Sequence, residues 1–123
     1  MTNTNIKLIG NPASPYTRKM VAYLRYKRIP YQVIWGEATD ILKSMKIDPP
    51  NPILLPVFLL PRDGKITAVT DSTPLIAEFE NSHPERSVYP SDPSLKFIDY
   101  ILEDFGDEWC TKFMFHYRWY FSE

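Results

Sequence analysis

Residues 6–17 of the chain read IKLIGNPASPYT. The apolar run at residues 6–9 predicts a short buried strand, Gly10-Asn11-Pro12 interrupts it, and a helical pattern begins after Ser14. A hydroxyl residue at such a strand-to-helix junction lies at the positive end of the helix dipole, where free backbone N–H groups can hold an anion such as a thiolate. This stretch therefore predicts both the start of an α/β fold and a candidate anion site.

The tetrapeptide Ser14-Pro15-Tyr16-Thr17 has hydroxyls where a dithiol redox motif has sulfurs. The absence of both cysteines excludes a dithiol oxidoreductase. The tetrapeptide retains the ability to bind and polarise a thiol that belongs to another molecule. The alternative is that Ser14 is an ordinary helix cap followed by proline at the first helical position.

Size and charge restrict the class of protein. The chain has 123 residues, 44% hydrophobic content and a net charge of −1, which suits one domain, or one small domain plus part of another. Scattered Lys and Arg residues argue against a nucleic-acid or polybasic membrane surface. The single cysteine, Cys110, suits a reducing compartment. No signal peptide or membrane span is predicted, so we expect a soluble cytoplasmic protein.

The first predicted helix, residues 16–27, has an apolar face and a charged face. The apolar face consists of Met20, Val21 and Leu24. The charged residues Lys19, Arg25 and Lys27 are expected to face solvent.

A second strand at residues 31–35 completes a βαβ unit. A short helix at residues 39–45, capped by Thr39, follows. Strands at residues 57–60 and 66–69 flank an Asp-Gly turn, which predicts a hairpin. The next helix opens at Asp71-Ser72-Thr73-Pro74 with a hydroxyl cap and proline at the first helical position. The predicted order is βαβα-ββα, an α/β layer structure.

Residues 84–93 are proline-rich and resemble a linker. From Ser94 onward, apolar residues recur at spacings of three and four, which predicts one helix or a pair broken near Gly106. This helix carries more apolar surface than one contact would cover. We therefore expect either a truncated helical second domain or a partner chain that covers it. Cys110 is expected to be a small buried apolar residue.

Two further segments could bind a ligand. A cis bond between Leu55 and Pro56 would present the backbone of Leu55 to an extended peptide, whereas a trans proline would simply begin a strand. Asp71 and Ser72 suit the ammonium and the carboxylate of an α-amino acid, although both could serve only as helix caps. The junctions at Ser14 and Asp71 are expected at one end of the sheet, where ligands bind in open α/β folds.

The order of these motifs resembles the glutathione S-transferase family over residues 6–123. The resemblance implies a thioredoxin-like glutathione-binding domain at residues 1–85, a linker at residues 86–93 and the start of a helical domain at residues 94–123. It also implies glutathione as co-substrate and no metal. Ser14 would stabilise the thiolate, Leu55 and Pro56 would clamp the cysteinyl amide, and Asp71 and Ser72 would hold the γ-glutamyl group.

The function expected from this resemblance is activation of glutathione for attack on an electrophilic small molecule. The alternative is a non-catalytic interaction or regulatory module of the same fold. The resemblance implies a homodimer, and the charge pattern predicts that it binds neither nucleic acid nor membrane. It leaves Lys43 and Lys46 as candidates for the glycyl carboxylate, and the 123-residue chain alone is expected to be poorly active.

Overall fold

The structure is a computed structural model that describes residues 6–121. The chain divides into two compact units, with the boundary between Arg86 and Ser87. Residues 1–5 and 122–123, at the outer ends of the two predicted domains, lie outside the described residues.

Four strands of the first unit form one sheet. They are β1 (Ile6–Gly10), β2 (Tyr31–Trp35), β3 (Val57–Arg62) and β4 (Lys65–Val69). The strand order is β2-β1-β3-β4, with β1 and β2 parallel and the other two neighbouring pairs antiparallel. The prediction of an α/β fold with a mixed, thioredoxin-like sheet is confirmed.

The turn between β3 and β4 consists of Asp63 and Gly64, whose φ angles are 48° and 78°. Positive φ at both central residues gives a two-residue turn whose twist matches that of the flanking strands. Arg62 and Lys65 pair across it. The predicted hairpin is confirmed.

Three helices belong to this unit: α1 (Pro15–Lys27), α2 (Ala38–Met45) and α3 (Ser72–Ser82). The prediction that Thr39 caps α2 is wrong, because the helix begins one residue earlier and its cap position, Glu37, makes no side-chain capping bond. Ala38 belongs to the buried core, so the helix starts where that side chain must pack and leaves Thr39 exposed.

The predicted hydroxyl cap of α3 is also wrong. Asp71 is the cap, and its Oδ1 accepts a hydrogen bond of 3.3 Å from the backbone N–H of Thr73. A carboxylate is at least as good a cap as a hydroxyl, so the first turn forms around it. Pro74 therefore occupies the third helical position rather than the first.

The core lies on both faces of the sheet. On one face, α2 packs against strand residues in a single buried cluster that consists of Ile9, Ala38, Leu42, Val57, Leu59 and Ala68. On the other face, the ring of Phe58 lies 5.6 Å from that of Phe79 in α3, and Phe79 in turn stacks 6.4 Å from Tyr23 in α1. Helices α1 and α3 thus share the face opposite α2.

Lys27 does not face solvent as its position on α1 predicted. Its side chain is fully buried, and its Nζ lies 2.8 Å from Oε1 of Glu80 in α3. The hydroxyl of Tyr23 donates to the same Glu80 oxygen over 2.9 Å. The two helices are therefore joined through a buried charged group. The prediction for Lys27 was wrong because the periodicity of α1 alone carries no information on where α3 packs.

The second unit is helical. It contains α4 (Pro93–Asp104), a π-helical segment (Phe105–Cys110) and α5 (Thr111–Trp119). Gly106 lies inside the π-helical segment, so the three pieces follow one another without a break, which is the first of the two alternatives that the sequence left open. Asp92 caps α4, because its Oδ1 accepts from the backbone N–H groups of Ser94 and Leu95.

The helical residues of the second unit, from Pro93 to Trp119, include none that is buried. The expectation that Cys110 is buried is therefore wrong, since no described residue packs over this thiol. Among residues 6–121, no helix has the length and apolar character that a membrane crossing requires.

We expect the Glu80→Gln substitution to lower the free energy of unfolding by about 3–5 kcal/mol, because it leaves the Lys27 ammonium buried without its counter-charge. Urea denaturation followed by circular dichroism measures this. The control is Glu78→Gln, which breaks the half-exposed pair with Arg62 and should cost about 0–1 kcal/mol. The double substitution Lys27→Met with Glu80→Gln should recover most of the loss, since Gln still accepts from Tyr23. Equal costs for Glu80→Gln and Glu78→Gln would contradict this account.

Candidate functional site

Strand register brings the predicted binding segments to one end of the sheet. Ile9, near the end of β1, pairs with Val57 at the start of antiparallel β3. Phe58 pairs with Val69 at the end of β4. The loop after β1, the residues just before β3 and the junction after β4 therefore all lie at the same end. This register explains why the junctions at Ser14 and Asp71 lie at one end of the sheet, as the sequence predicted.

Ser14 is the cap of α1. Its Oγ accepts a hydrogen bond of 3.2 Å from the backbone N–H of Thr17, and Pro15 is the first helical residue. The hydroxyl of Ser14 donates no hydrogen bond to any residue between positions 6 and 121. A hydroxyl has one donor and two acceptor sites. Capping therefore uses the oxygen and leaves the proton available, so the two interpretations of Ser14 are compatible.

The loop that carries Ser14 is held by its own hydrogen bonds. The Oδ1 of Asn11 accepts from the backbone N–H of Ala13 over 2.9 Å, and the carbonyl of Asn11 accepts from the N–H of Ser14 over 3.0 Å. Arg18 Nε donates to the carbonyl of Pro12 over 2.8 Å. Ser14 thus sits on a loop with a defined shape.

Gly10 allows α1 to approach β1 closely. A Cβ atom at this position would lie 2.5 Å from Cγ2 of Thr17, which is closer than such atoms can approach. Thr17 is itself buried, with 1% of its surface exposed, and its Oγ1 accepts from the N–H of Asn11 over 3.4 Å. The small residue at the strand end is therefore what places the start of α1.

The segment before β3 contains two cis peptide bonds, Asn51–Pro52 and Leu55–Pro56. Of the cis and trans alternatives that the sequence left open for Pro56, the structure shows the cis bond. Pro56 is buried and Leu55 is half-buried. Continuing the β1–β3 register places Pro56 beside Gly10, so Leu55 lies next to the loop of Ser14. The cis bond at Asn51–Pro52 was not predicted.

At the third segment, Asp71 is exposed and has a φ of 81°, whereas Ser72 is 7% exposed. The capping bond occupies Oδ1 of Asp71. The carboxylate and the hydroxyl are adjacent at the positive end of α3, an arrangement that suits the two charges of an α-amino acid.

Lys19 links the first and third segments. It was predicted to face solvent, but it is half-buried, and its Nζ donates a hydrogen bond of 3.2 Å to Oγ of Ser72. The two residues are 53 positions apart, and no local pattern announces such a contact. The structure thus adds a cation to the site that sequence analysis missed.

The lysines considered for a terminal carboxylate, Lys43 and Lys46, are both exposed on or next to α2. In the described part of the chain, no three His, Cys, Asp or Glu side chains are grouped so that they could hold a metal ion.

Comparison with known proteins places this geometry in a family. The family described as glutathione S-transferase, N-terminal domain, matches residues 8–87, which is more than half of the chain. The chain belongs to the glutathione S-transferase family. The resemblance stated from the sequence motifs is confirmed.

Individual relatives support the same family assignment. Glutathione S-transferase U3 of Arabidopsis thaliana is 28% identical over 106 residues, which cover 86% of this chain and 46% of that protein. A glutathione S-transferase from Methylobacterium radiotolerans, solved in complex with glutathione sulfonate, is 26% identical with a TM-score of 0.62, and the match covers 76% of this chain and 42% of that one.

A Tau class glutathione S-transferase from mango, Mangifera indica, shares the fold, with 23% identity, a TM-score of 0.64 and coverage of 87% of this chain and 47% of that one. The chain spans about half the length of the curated relatives it matches.

We expect Gly10→Ala to lower the free energy of unfolding by about 1–3 kcal/mol, because the new methyl group collides with Thr17 and displaces the start of α1. Thermal unfolding measures the loss. Adding Thr17→Ser removes the Cγ2 atom that is struck while keeping the hydroxyl, so the double variant should be more stable than Gly10→Ala alone. A double variant that is less stable than Gly10→Ala would contradict the proposed close approach.

Proposed function

We propose that this chain binds glutathione across the three segments at one end of its sheet and activates the thiol for attack on an electrophilic small molecule. The observation that carries the proposal is the convergence of Ser14, Leu55 and the Asp71–Ser72 pair, which the strand register places at the same end of the sheet. Membership of the glutathione S-transferase family supports the same conclusion.

Ser14 is the proposed activating residue. Its oxygen is already used as the helix cap, while its proton remains available to an acceptor on a ligand. A hydroxyl that donates to a thiolate, together with the positive end of α1, stabilises the charged form and lowers the pKa of the bound thiol. More of the bound glutathione is then thiolate at neutral pH, which is the form that attacks an electrophile.

The other segments would hold the peptide. The backbone of Leu55 would clamp the cysteinyl amide in the manner of a neighbouring strand. Asp71 would hold the γ-glutamyl ammonium and Ser72 its carboxylate. Lys43 and Lys46 are the candidates for the glycyl carboxylate. No metal takes part in this proposal.

The protein is proposed to act as a cytoplasmic homodimer. The relatives are about twice as long, since the match covers 46% of glutathione S-transferase U3. The short chain is therefore expected to bind glutathione but to turn over electrophiles poorly.

We expect Ser14→Ala to raise the pKa of bound glutathione, because it removes a hydrogen bond to a charged acceptor that contributes about 1.5–3 kcal/mol. Ultraviolet absorbance of the thiolate, recorded against pH with saturating glutathione, measures this without an electrophile. At neutral pH, any conjugation should slow by about tenfold or more.

The matched control is Ser44→Ala on α2, where Oγ donates to the carbonyl of Ile41 in the same helix. It should leave the thiol pKa unchanged. An unchanged thiol pKa in Ser14→Ala would remove Ser14 from the activating role. Failure of the unmodified chain to bind immobilised glutathione would instead favour a non-catalytic interaction module.

Self-association is expected from the aromatic surface of the second unit. This surface consists of side chains that are 49–75% exposed: Phe105, Trp109, Phe113, Phe115, Tyr117, Trp119, Tyr120 and Phe121. Exposed apolar surface of this density favours burial against another chain. Light scattering at increasing concentration should show a mass above that of the monomer, 14.4 kDa.

The double substitution Phe105→Ser with Phe113→Ser should shift the chain toward monomer. Ile66→Thr is the control, because Ile66 is 50% exposed on β4 of the first unit. A monomer at all concentrations would contradict the expected self-association.

A further inference from the structure

We propose that Lys19 is a binding residue for the α-carboxylate of the γ-glutamyl group, acting together with Ser72. This inference rests on the proposed function. It assigns a role to a helix side chain that the site residues taken from the motifs do not include.

The first step in the argument is the direction of one hydrogen bond. Nζ of Lys19 lies 3.2 Å from Oγ of Ser72. An ammonium has only donors, so the Ser72 oxygen must be the acceptor in this contact. The ammonium of Lys19 and the hydroxyl of Ser72 therefore lie side by side. A carboxylate has two acceptor oxygens, so it suits a position that faces an ammonium and a hydroxyl together.

The second step is position. Lys19 stands on α1, one turn beyond the cap Ser14, and reaches the first residue of α3. The neighbouring cation Arg18 does not compete for this place, because its Nε donates to the carbonyl of Pro12 in the loop of Ser14. Lys19 is therefore a cation that connects the helix capped by Ser14 with the helix capped by Asp71.

The third step is charge. Asp71 and Lys19 flank Ser72 with opposite charges, one on the preceding residue and one through the hydrogen bond. The α-amino acid end of glutathione carries an ammonium and a carboxylate on one carbon. Asp71 suits the ammonium, and Lys19 with Ser72 suits the carboxylate. Because Lys19 is half-buried, its contact with the ligand is less screened by water than that of a surface lysine.

The test compares two ligands that differ only in this carboxylate. They are glutathione and 4-aminobutyryl-cysteinyl-glycine, which retains the ammonium and lacks the carboxylate. Isothermal titration of the 123-residue chain should give about tenfold weaker binding of glutathione to Lys19→Met than to the unmodified chain. The decarboxylated peptide should bind both chains equally. Lys19→Arg should retain most of the affinity for glutathione.

The control Lys65→Met, on the exposed hairpin, removes the same charge away from the site and should change neither affinity. Equal weakening of both ligands by Lys19→Met would show a merely structural role and overturn the proposal, as would unchanged glutathione binding. If the unmodified chain binds both ligands alike, the carboxylate assignment falls while thiol binding at Ser14 stands. If it binds neither, the proposed function falls with it.

Discussion

The antiparallel pairing of β3 with β1 is the constraint on which the candidate site depends. Because Val57 pairs with Ile9, the chain enters β3 at the end of the sheet where it leaves β1. The hairpin then returns β4 to that same end. A parallel β3 would place Leu55 and Pro56 at the opposite end from Ser14. The direction of a single strand therefore decides whether the three segments are neighbours.

Given that register, the site is assembled by helix placement. Close packing of Thr17 on Gly10 sets the start of α1. The hydrogen bond from Lys19 to Ser72 joins the starts of α1 and α3, and the buried group of Lys27, Glu80 and Tyr23 joins them farther along. Two separated attachments fix the direction of one helix relative to the other better than one does. The core on the α1–α3 face thus supports the geometry of the residues that would touch a ligand.

Local features of the sequence predicted most of the fold. Apolar runs and β-branched residues predicted the strands, Asp63-Gly64 predicted the hairpin, and Ser14-Pro15 predicted the start of α1, since each of these depends on residues next to one another. The errors arose where distant residues decide the outcome. Lys19 and Lys27 lie on the polar side of an isolated helix, but contacts with α3 bury both side chains at least in part. Lys19 donates to Ser72, which is 53 residues away along the chain, and Lys27 pairs with Glu80. The start of α2 likewise follows the burial of Ala38 rather than the capping preference of Thr39. The motifs indicated three segments that the strand register brings to one end of the sheet, whereas the position of Lys19 between two of them is set by the tertiary structure.

The π-helical segment Phe105–Cys110 changes the geometry of the second unit's surface. An α-helix turns by about 100° per residue, and a π-helical turn accommodates one residue more than an α-helical turn. The aromatic residues Phe105, Trp109 and Phe113 recur every four residues, a spacing that drifts steadily around an α-helix of about 3.6 residues per turn. The wider turn of the π-helical segment offsets part of this drift, so it helps to keep these side chains on one side of the helix axis. A partner that covers this surface can therefore follow a straighter path than the four-residue spacing alone would allow.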